Sequence, residues 1–240
     1  MLYRLRFRTD HLTLPMAYQN KVQGLLYNLM RSVPDYSAFL HDSGYDAGRG
    51  AHFKLFCFGR LKGSRQRRGK QICFPNGVEL SVRTADPTLG ELLDEAFRPG
   101  LVYELAGQTI VLEEAEQESL HITGSAINIR MDSPLCVYTA LPGGKTRSIN
   151  PLEEDFSRLV NENYHRKWSV IAGAPPEDDI TLTARSVGMQ DKCVTNIKGI
   201  WATAWGGTYR LSGTPKALEF LYHTGLGRRS SMGFGLFDIV

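Results

Sequence analysis

Near its end the chain carries Gly225-Leu226-Gly227-Arg228-Arg229-Ser230-Ser231-Met232-Gly233-Phe234-Gly235, two Gly-apolar-Gly triplets around a five-residue insert. The insert offers two guanidinium forks and two hydroxyls. The glycines permit positive φ and close approach of the backbone to a ligand. Backbone N–H groups in such a loop can cradle an anion while Arg228 and Arg229 add charge-assisted hydrogen bonds. No Gly-Lys-Ser/Thr follows and no strand precedes the first glycine, so neither a P-loop nor a dinucleotide fingerprint is present. The stretch reads either as a glycine-rich turn into a last strand or as a grip for a polymeric phosphate. A second cationic stretch, Arg60-Leu61-Lys62-Gly63-Ser64-Arg65-Gln66-Arg67-Arg68-Gly69-Lys70, carries Arg60, Lys62, Arg65, Arg67, Arg68 and Lys70 in one connection. That density favours phosphate contact over a merely solvated loop.

Composition limits how these stretches can be used. With 42% hydrophobic and 22% charged residues, the 240-residue chain has the make-up of an ordinary soluble globule. The formal net charge is only +3, so polyanion binding must come from local clustering. Met1 to Arg8 alternates charged and apolar residues, which excludes a signal peptide there, and no apolar run reaches membrane-spanning length. Cys57, Cys73, Cys136 and Cys193 show no Cys-x-x-Cys pair, as expected of reduced thiols in a cytoplasmic protein rather than a zinc site or disulfide frame.

The elements that must carry these stretches repeat one order. Tyr3, Leu5 and Phe7 alternate with Arg4, Arg6 and Arg8 in a half-buried strand over residues 2–9. A helix over 16–31 follows, with Val22, Leu25, Leu26 and Leu29 as its stripe, and Tyr27 well off that stripe. A shorter helix over 34–41 has Pro34 in its first turn. Strands over 53–60 and 71–84 flank the basic connection, and then come a helix over 88–97 and a strand over 108–117. The second half gives a strand over 127–131 and a helix opening at Asn150-Pro151-x-Glu153, with Leu152, Phe156, Leu159, Val160 and Tyr164 as its stripe. Strands over 179–187 and 192–212 follow, with Gly206-Gly207 as a bulge. Thr214-Pro215 then opens a helix, Gly225 stands at its C′ position, and a strand over 234–240 closes the chain. The order β-α-β-β-α-β thus occurs twice, which predicts an α+β protein of two tandem ferredoxin-like (RRM-like) domains, 1–120 and 121–240. Trp201 and Trp205, on one strand face, are expected to pack in the core.

With the tandem order and the glycine loop in hand, the chain resembles the CRISPR-associated endoribonucleases that cut precursor CRISPR RNA, members of the repeat-associated (RAMP) superfamily. Further residues carry the likeness: Ser133-Pro134-Leu135-Cys136-Val137, Asp155-Phe156 with Asn163-Tyr164, and Lys198-Gly199-Ile200-Trp201. The resemblance implies metal-free RNA cleavage without cofactor, by the substrate's own 2′-hydroxyl, to a 2′,3′-cyclic phosphate and a 5′-hydroxyl. Such a reaction needs a base, an acid and a cation for the phosphorane.

The family's catalytic tyrosine, histidine and lysine match Tyr27, His41 and Lys54. His41, before a glycine-rich loop, would shuttle the proton, imidazole being the side chain that changes charge near neutrality. Tyr27 would position or help activate the 2′-hydroxyl, and Lys54 would stabilise transition-state charge. The segment between His41 and Lys54 is longer than the family pattern, so His52 and Arg49 stand as substitutes for Lys54. The insert and glycines of 225–235 and the basic connection are then expected to hold RNA. Repeat RNA is the implied partner, with other proteins of an interference complex and a second copy of the chain as further candidates, and no membrane. A rival within the superfamily is a protein that binds the repeat without cutting it. A generic tandem RNA-recognition protein ranks behind both, because no aromatic-rich Lys/Arg-Gly-Phe-x-Phe strand is present.

Overall fold

The computed structural model of the chain describes residues 1–48, 52–197 and 199–240. Strand β1 (Leu2–Arg8) buries Tyr3, Leu5 and Phe7 and turns its arginines outward, as period-two alternation requires. Helix α1 (Gln19–Leu29) packs Val22, Leu25 and Leu26 beneath it. Helix α2 (Pro34–Ala38) follows and runs into a π-helical turn, Phe39–Ser43. Strands β2 (Phe56–Phe58) and β3 (Val78–Thr84), helix α3 (Pro87–Ala96) and strands β4 (Val102–Leu105) and β5 (Gln108–Glu118) complete the first half. The sheet order is β2-β3-β1-β5-β4, antiparallel throughout.

The second half repeats that arrangement. Strand β6 (Ala126–Met131), helix α4 (Asp155–Ala172), strands β7 (Thr181–Ser186) and β8 (Thr208–Ser212), helix α5 (Pro215–Thr224) and strand β9 (Phe237–Ile239) form it, with sheet order β7-β8-β6-β9. In both sheets the first strand lies between the third and the last, with the second at the edge beside the third; in the first sheet β4 is an added edge strand beyond β5. That is the ferredoxin-like connection twice over. Each sheet draws all its strands from its own half of the chain, and residues 119–125 pass between them.

The structure departs from the sequence expectations where local turns outcompete a continuous pattern. The stretch 71–84 is two strands, because Gly77, at φ 93°, turns the chain where an added Cβ would lie 2.5 Å from the Phe7 carbonyl oxygen. The stretch 192–212 is an outlying hairpin, Lys192–Ile197 with Ile200–Trp205, followed by β8. Asn150 and Glu153 do make the reciprocal cap bonds: the Leu152 amide donates to Asn150 Oδ1 at 3.0 Å, and the Asn150 amide to Glu153 Oε1 at 2.7 Å. They close a turn ahead of α4, however, and Leu152 is 75% exposed instead of on the helix stripe. Trp205 is buried, but Trp201 on the hairpin is 70% exposed, so the core expectation fails for it.

The halves meet through the outer face of the first sheet at the β1–β3 end. Leu2 and Arg83, register partners there, are both buried, and Leu2 belongs to the second half's apolar core. Arg83 donates to the Phe237 carbonyl and, at 2.8 Å, to Asp238 Oδ1 of β9. Arg4, Arg6 and Arg8 on the same face pair with Glu118, Glu79, Glu114 and Glu113 at the surface.

Candidate functional site

Tyr27, His41 and Lys54 arrive from three elements and meet. Tyr27 sits in the last turns of α1 with its ring edge-on to Phe56 and to His41, the latter at a centroid distance of 5.3 Å. Burial pushes its phenol well above the ordinary tyrosine range, so Tyr27 keeps its proton and serves as a donor. His41, exposed on the π-helical turn, lies with Nδ1 2.6 Å from Asp42 Oδ1. A carboxylate only accepts, so Nδ1 carries the hydrogen and Nε2 is left as the proton acceptor. Lys54 Nζ donates to the carbonyls of Leu40 and, at 2.6 Å, of His41, and stands 5.5 Å from the centre of the Tyr27 ring. The lysine thereby ties its own strand segment to the turn that carries the histidine.

Asp86, absent from the sequence reading, fixes that turn from behind. Its buried carboxylate caps α3 through the amides of Thr88 and Leu89 and accepts from Tyr36 and Tyr45 at 2.6 and 2.7 Å. Tyr36 and Tyr45 flank the His41 segment on both sides in sequence.

Tyr27, His41 and Lys54 form one wall of a cleft of about 620 Å³ between the halves of the chain. The other wall comes from α4 and from the insert of the glycine loop: Arg228, Arg229, Ser230 and Ser231 line it, as do Asn163, Arg166 and Lys167. The guanidinium groups of Arg228 and Arg229 lie 4.7 and 5.4 Å from the Tyr138 ring centre, a stacking that holds both forks in the cleft. Arg229 and Leu55, two of the three non-glycine residues with positive φ among the described residues, both line this cleft (φ 63° and 50°). Strained backbone of this kind concentrates at functional sites. Gln23, one turn before Tyr27, donates to the Ser231 carbonyl at 2.8 Å, and Arg166 donates to the Gly48 carbonyl at 2.9 Å. Both bonds join the two halves of the chain.

The glycines serve a different end from the insert. Gly225, Gly227, Gly233 and Gly235 are buried with positive φ, and at Gly235 an added Cβ would lie 2.0 Å from the Leu226 carbonyl oxygen. Amides of Gly225, Leu226, Arg228, Gly233 and Gly235 donate to carbonyls of the protein itself, so they do not form an anion cradle. The four glycines fold the loop tightly enough to present Arg228–Ser231. Arg60, Lys62, Arg65, Arg67, Arg68 and Lys70 stand outside the cleft lining. Gln66–Arg68 is exposed and pairs with Gln71–Phe74, whose Ile72, Cys73 and Phe74 are buried, and Lys62 is held by Asp132 at 3.2 Å and Asp238 at 3.4 Å. His52 lines the cleft; Arg49 lies outside the described residues.

Lys167 is the largest omission of the sequence reading. It is 1% exposed, and its ammonium donates to the carbonyls of Thr224 (3.2 Å) and Gly225 (2.8 Å) and to Ser230 Oγ (2.9 Å). Burial pushes its ammonium down to about 7, against the Cys57 thiol, which acts in the opposite sense. An unfolded lysine titrates near ~10.4, so between these values the unfolded chain holds a proton that the folded one has shed. Folding stability contributed at this position therefore rises as pH goes from about 7 to about 10. In urea unfolding, wild type is expected to gain on Lys167→Met across that window, by a few kcal/mol at most (each pKa unit being worth ~1.4 kcal/mol). A pH-independent difference between the two would refute the burial effect.

Two ferredoxin-like halves enclosing an arginine-lined cleft define the class: a tandem ferredoxin-like protein with a cationic groove between its halves. The family model described as CRISPR associated protein Cas6, C-terminal, matches residues 113–239, more than half of the chain. The chain belongs to the Cas6 family. The CRISPR-associated endoribonuclease Cas6 of Pyrococcus furiosus is 24% identical to it over 234 residues, 94% of this chain and 83% of that protein. Among solved structures, a Cas6-related protein from Pyrococcus furiosus matches with a TM-score of 0.84 at 15% identity, over 100% of this chain and 98% of its own. A RAMP protein binding different RNA substrates matches at 0.79 and 17% identity, over 100% and 99%. At these identities the structural likeness is one of fold.

Proposed function

We propose that the protein is an endoribonuclease that cuts CRISPR repeat RNA by attack of a 2′-hydroxyl on the adjacent phosphate, without a metal ion. The observation that carries this reading is the meeting, in one cleft, of Tyr27, His41 and Lys54 with Arg228, Arg229 and Ser230. The related Pyrococcus furiosus protein, named as an endoribonuclease, supports it. In this reading residues 1–120 form the unit that supplies the proton chemistry, and residues 121–240 the unit that grips the phosphates. His41 Nε2 takes the 2′-proton as the new O–P bond forms, and the 5′-oxygen leaves with a proton returned by the imidazolium. Tyr27 donates to the 2′-oxygen or a phosphate oxygen, and the cations offset the charge on the phosphorane. A second depression, of about 470 Å³, lies on the α1–α2 side of Tyr27 and His41 and is lined by both. The pair thus stands between two recesses, with room for RNA on either side of the cut.

The test is cleavage of repeat RNA in EDTA, beside an identical RNA with a single 2′-deoxy sugar at the cut site. Wild type is expected to cleave the first to a 2′,3′-cyclic phosphate and to leave the second intact. Cleavage of the deoxy substrate would overturn the mechanism. Tight binding with no cleavage of either would replace the enzyme by a protein that only holds the repeat.

A further inference from the structure

Part of the cleft has no role in the proton chemistry or the arginine grip. Asn163 and Lys167 lie four residues apart on α4, on one face of the helix, and both line the cleft. Asn163 is 5% exposed, and its carboxamide oxygen has no hydrogen-bond partner. Buried acceptors in native proteins are almost always satisfied, so an orphan at a cleft wall points to a donor that arrives with the ligand.

Ser230 supplies the complementary signal. Its hydroxyl oxygen accepts from Lys167 Nζ at 2.9 Å. While Lys167 is charged, its ammonium holds a lone pair of Ser230 Oγ, so the serine's own proton is directed away from Nζ and is available to an acceptor in the cleft. The cleft therefore presents a donor at Ser230 and an acceptor at Asn163. On a nucleic-acid backbone the phosphate oxygens are acceptors only, and the sole hydroxyl donor inside an RNA chain is the ribose 2′-hydroxyl.

We propose that Asn163, Lys167 and Ser230 form a ribose–phosphate subsite for one nucleotide of the bound strand. Asn163 Oδ1 accepts from its 2′-hydroxyl, and Ser230 Oγ donates to a neighbouring phosphate oxygen. Lys167 is a positioning residue that holds Ser230 and the Gly225 turn and does not touch the RNA. The proposal rests on the RNA reading above, and adds a nucleotide whose sugar is recognised although it does not react. RNA is then distinguished from DNA at a second place besides the cut site.

The test is a single-position 2′-deoxy scan of repeat RNA, read as affinity by fluorescence anisotropy at fixed salt, in a His41→Ala background to hold the substrate intact. One deoxy position other than the cut site is expected to weaken binding about five- to tenfold, the worth of one neutral hydrogen bond. Adding Asn163→Leu is expected to weaken binding of all-ribose RNA by a similar factor and to erase the sensitivity at that position. The same change, which removes an unsatisfied buried oxygen, is expected to raise the thermal midpoint; a purely structural asparagine would lower it. Ser230→Ala is expected to weaken binding with the salt slope unchanged, since no charge is lost. A deoxy scan that Asn163→Leu leaves unaltered overturns the subsite while leaving the RNA reading intact. Absence of any binding to repeat RNA overturns the RNA reading, and the subsite with it.

Discussion

His41→Ala is expected to slow single-turnover cleavage of repeat RNA by about 10²–10⁴-fold, the usual worth of a positioned acid–base group. RNA affinity should stay within about threefold of wild type, because the imidazole sits on an exposed turn and the arginine grip lies on the opposite wall. Three side chains meet at this point, and the geometry gives them unequal capacities. Tyr27 is held in its protonated form by burial, and Lys54 is committed to the carbonyls of Leu40 and His41. His41, oriented through Nδ1 by Asp42 at 2.6 Å, is the group with a free ring nitrogen to exchange a proton. Tyr27→Phe should therefore cost less than His41→Ala, and Asp42→Asn, which loses only the orientation, about tenfold or less. Cleavage by His41→Ala within threefold of wild type would remove the histidine from the mechanism.

The sequence told different parts of this site apart unevenly. Arg228 and Arg229 were legible because a basic insert between glycine triplets stands out, whatever the fold. That the glycines turn inward was not legible: a buried loop packed on its own carbonyls and a solvent-facing anion cradle need the same residue type. Tyr27, lying off the apolar stripe of α1, was correctly set apart from the helix core, yet it is half-buried against Phe56 and His41. Periodicity gives a helix its inner face, but not which neighbour covers its flank.

Asn163 and Lys167 left a trace that could have been followed. With Phe156 and Val160 they continue one stripe of α4 at spacings of four, three and four, so the last two places of an apolar face hold an amide and an amine. Polar groups in a core stripe must find partners or a ligand, and here the partners lie across the sequence in the glycine loop. Asp86 gave a local sign as a helix cap before Pro87, but its second task, holding Tyr36 and Tyr45, depends on a tertiary contact some 40 to 50 residues away.

Arg83→Ala is expected to destabilise the protein by about 3 kcal/mol in urea unfolding, and to reduce cleavage beyond what the loss of folded protein explains. The residue shows nothing unusual in sequence, since an arginine on the outer face of a half-buried strand is ordinary. Its position is not ordinary: it is 1% exposed, its guanidinium lies 3.7 Å from the Tyr222 ring centre, and its donors reach Phe237 and Asp238 of the second half. Truncation removes the stack, a cavity opens, and the Phe237 carbonyl loses a charged donor. Asp238 is partly exposed and keeps Lys62, so water and the lysine offset part of the loss, which holds the estimate below the upper range for a broken buried pair. Arg83→Met restores most of the apolar volume but none of the hydrogen bonds, and should recover about half of the stability. The comparison matters for function because His41 and Arg229 stand on opposite halves, and the cleft between them keeps its width only while the halves stay in register. Cleavage that remains low in Arg83→Met at a temperature where the variant is fully folded would identify the Arg83 bonds as what sets that register. Full activity there would confine the arginine to stability alone.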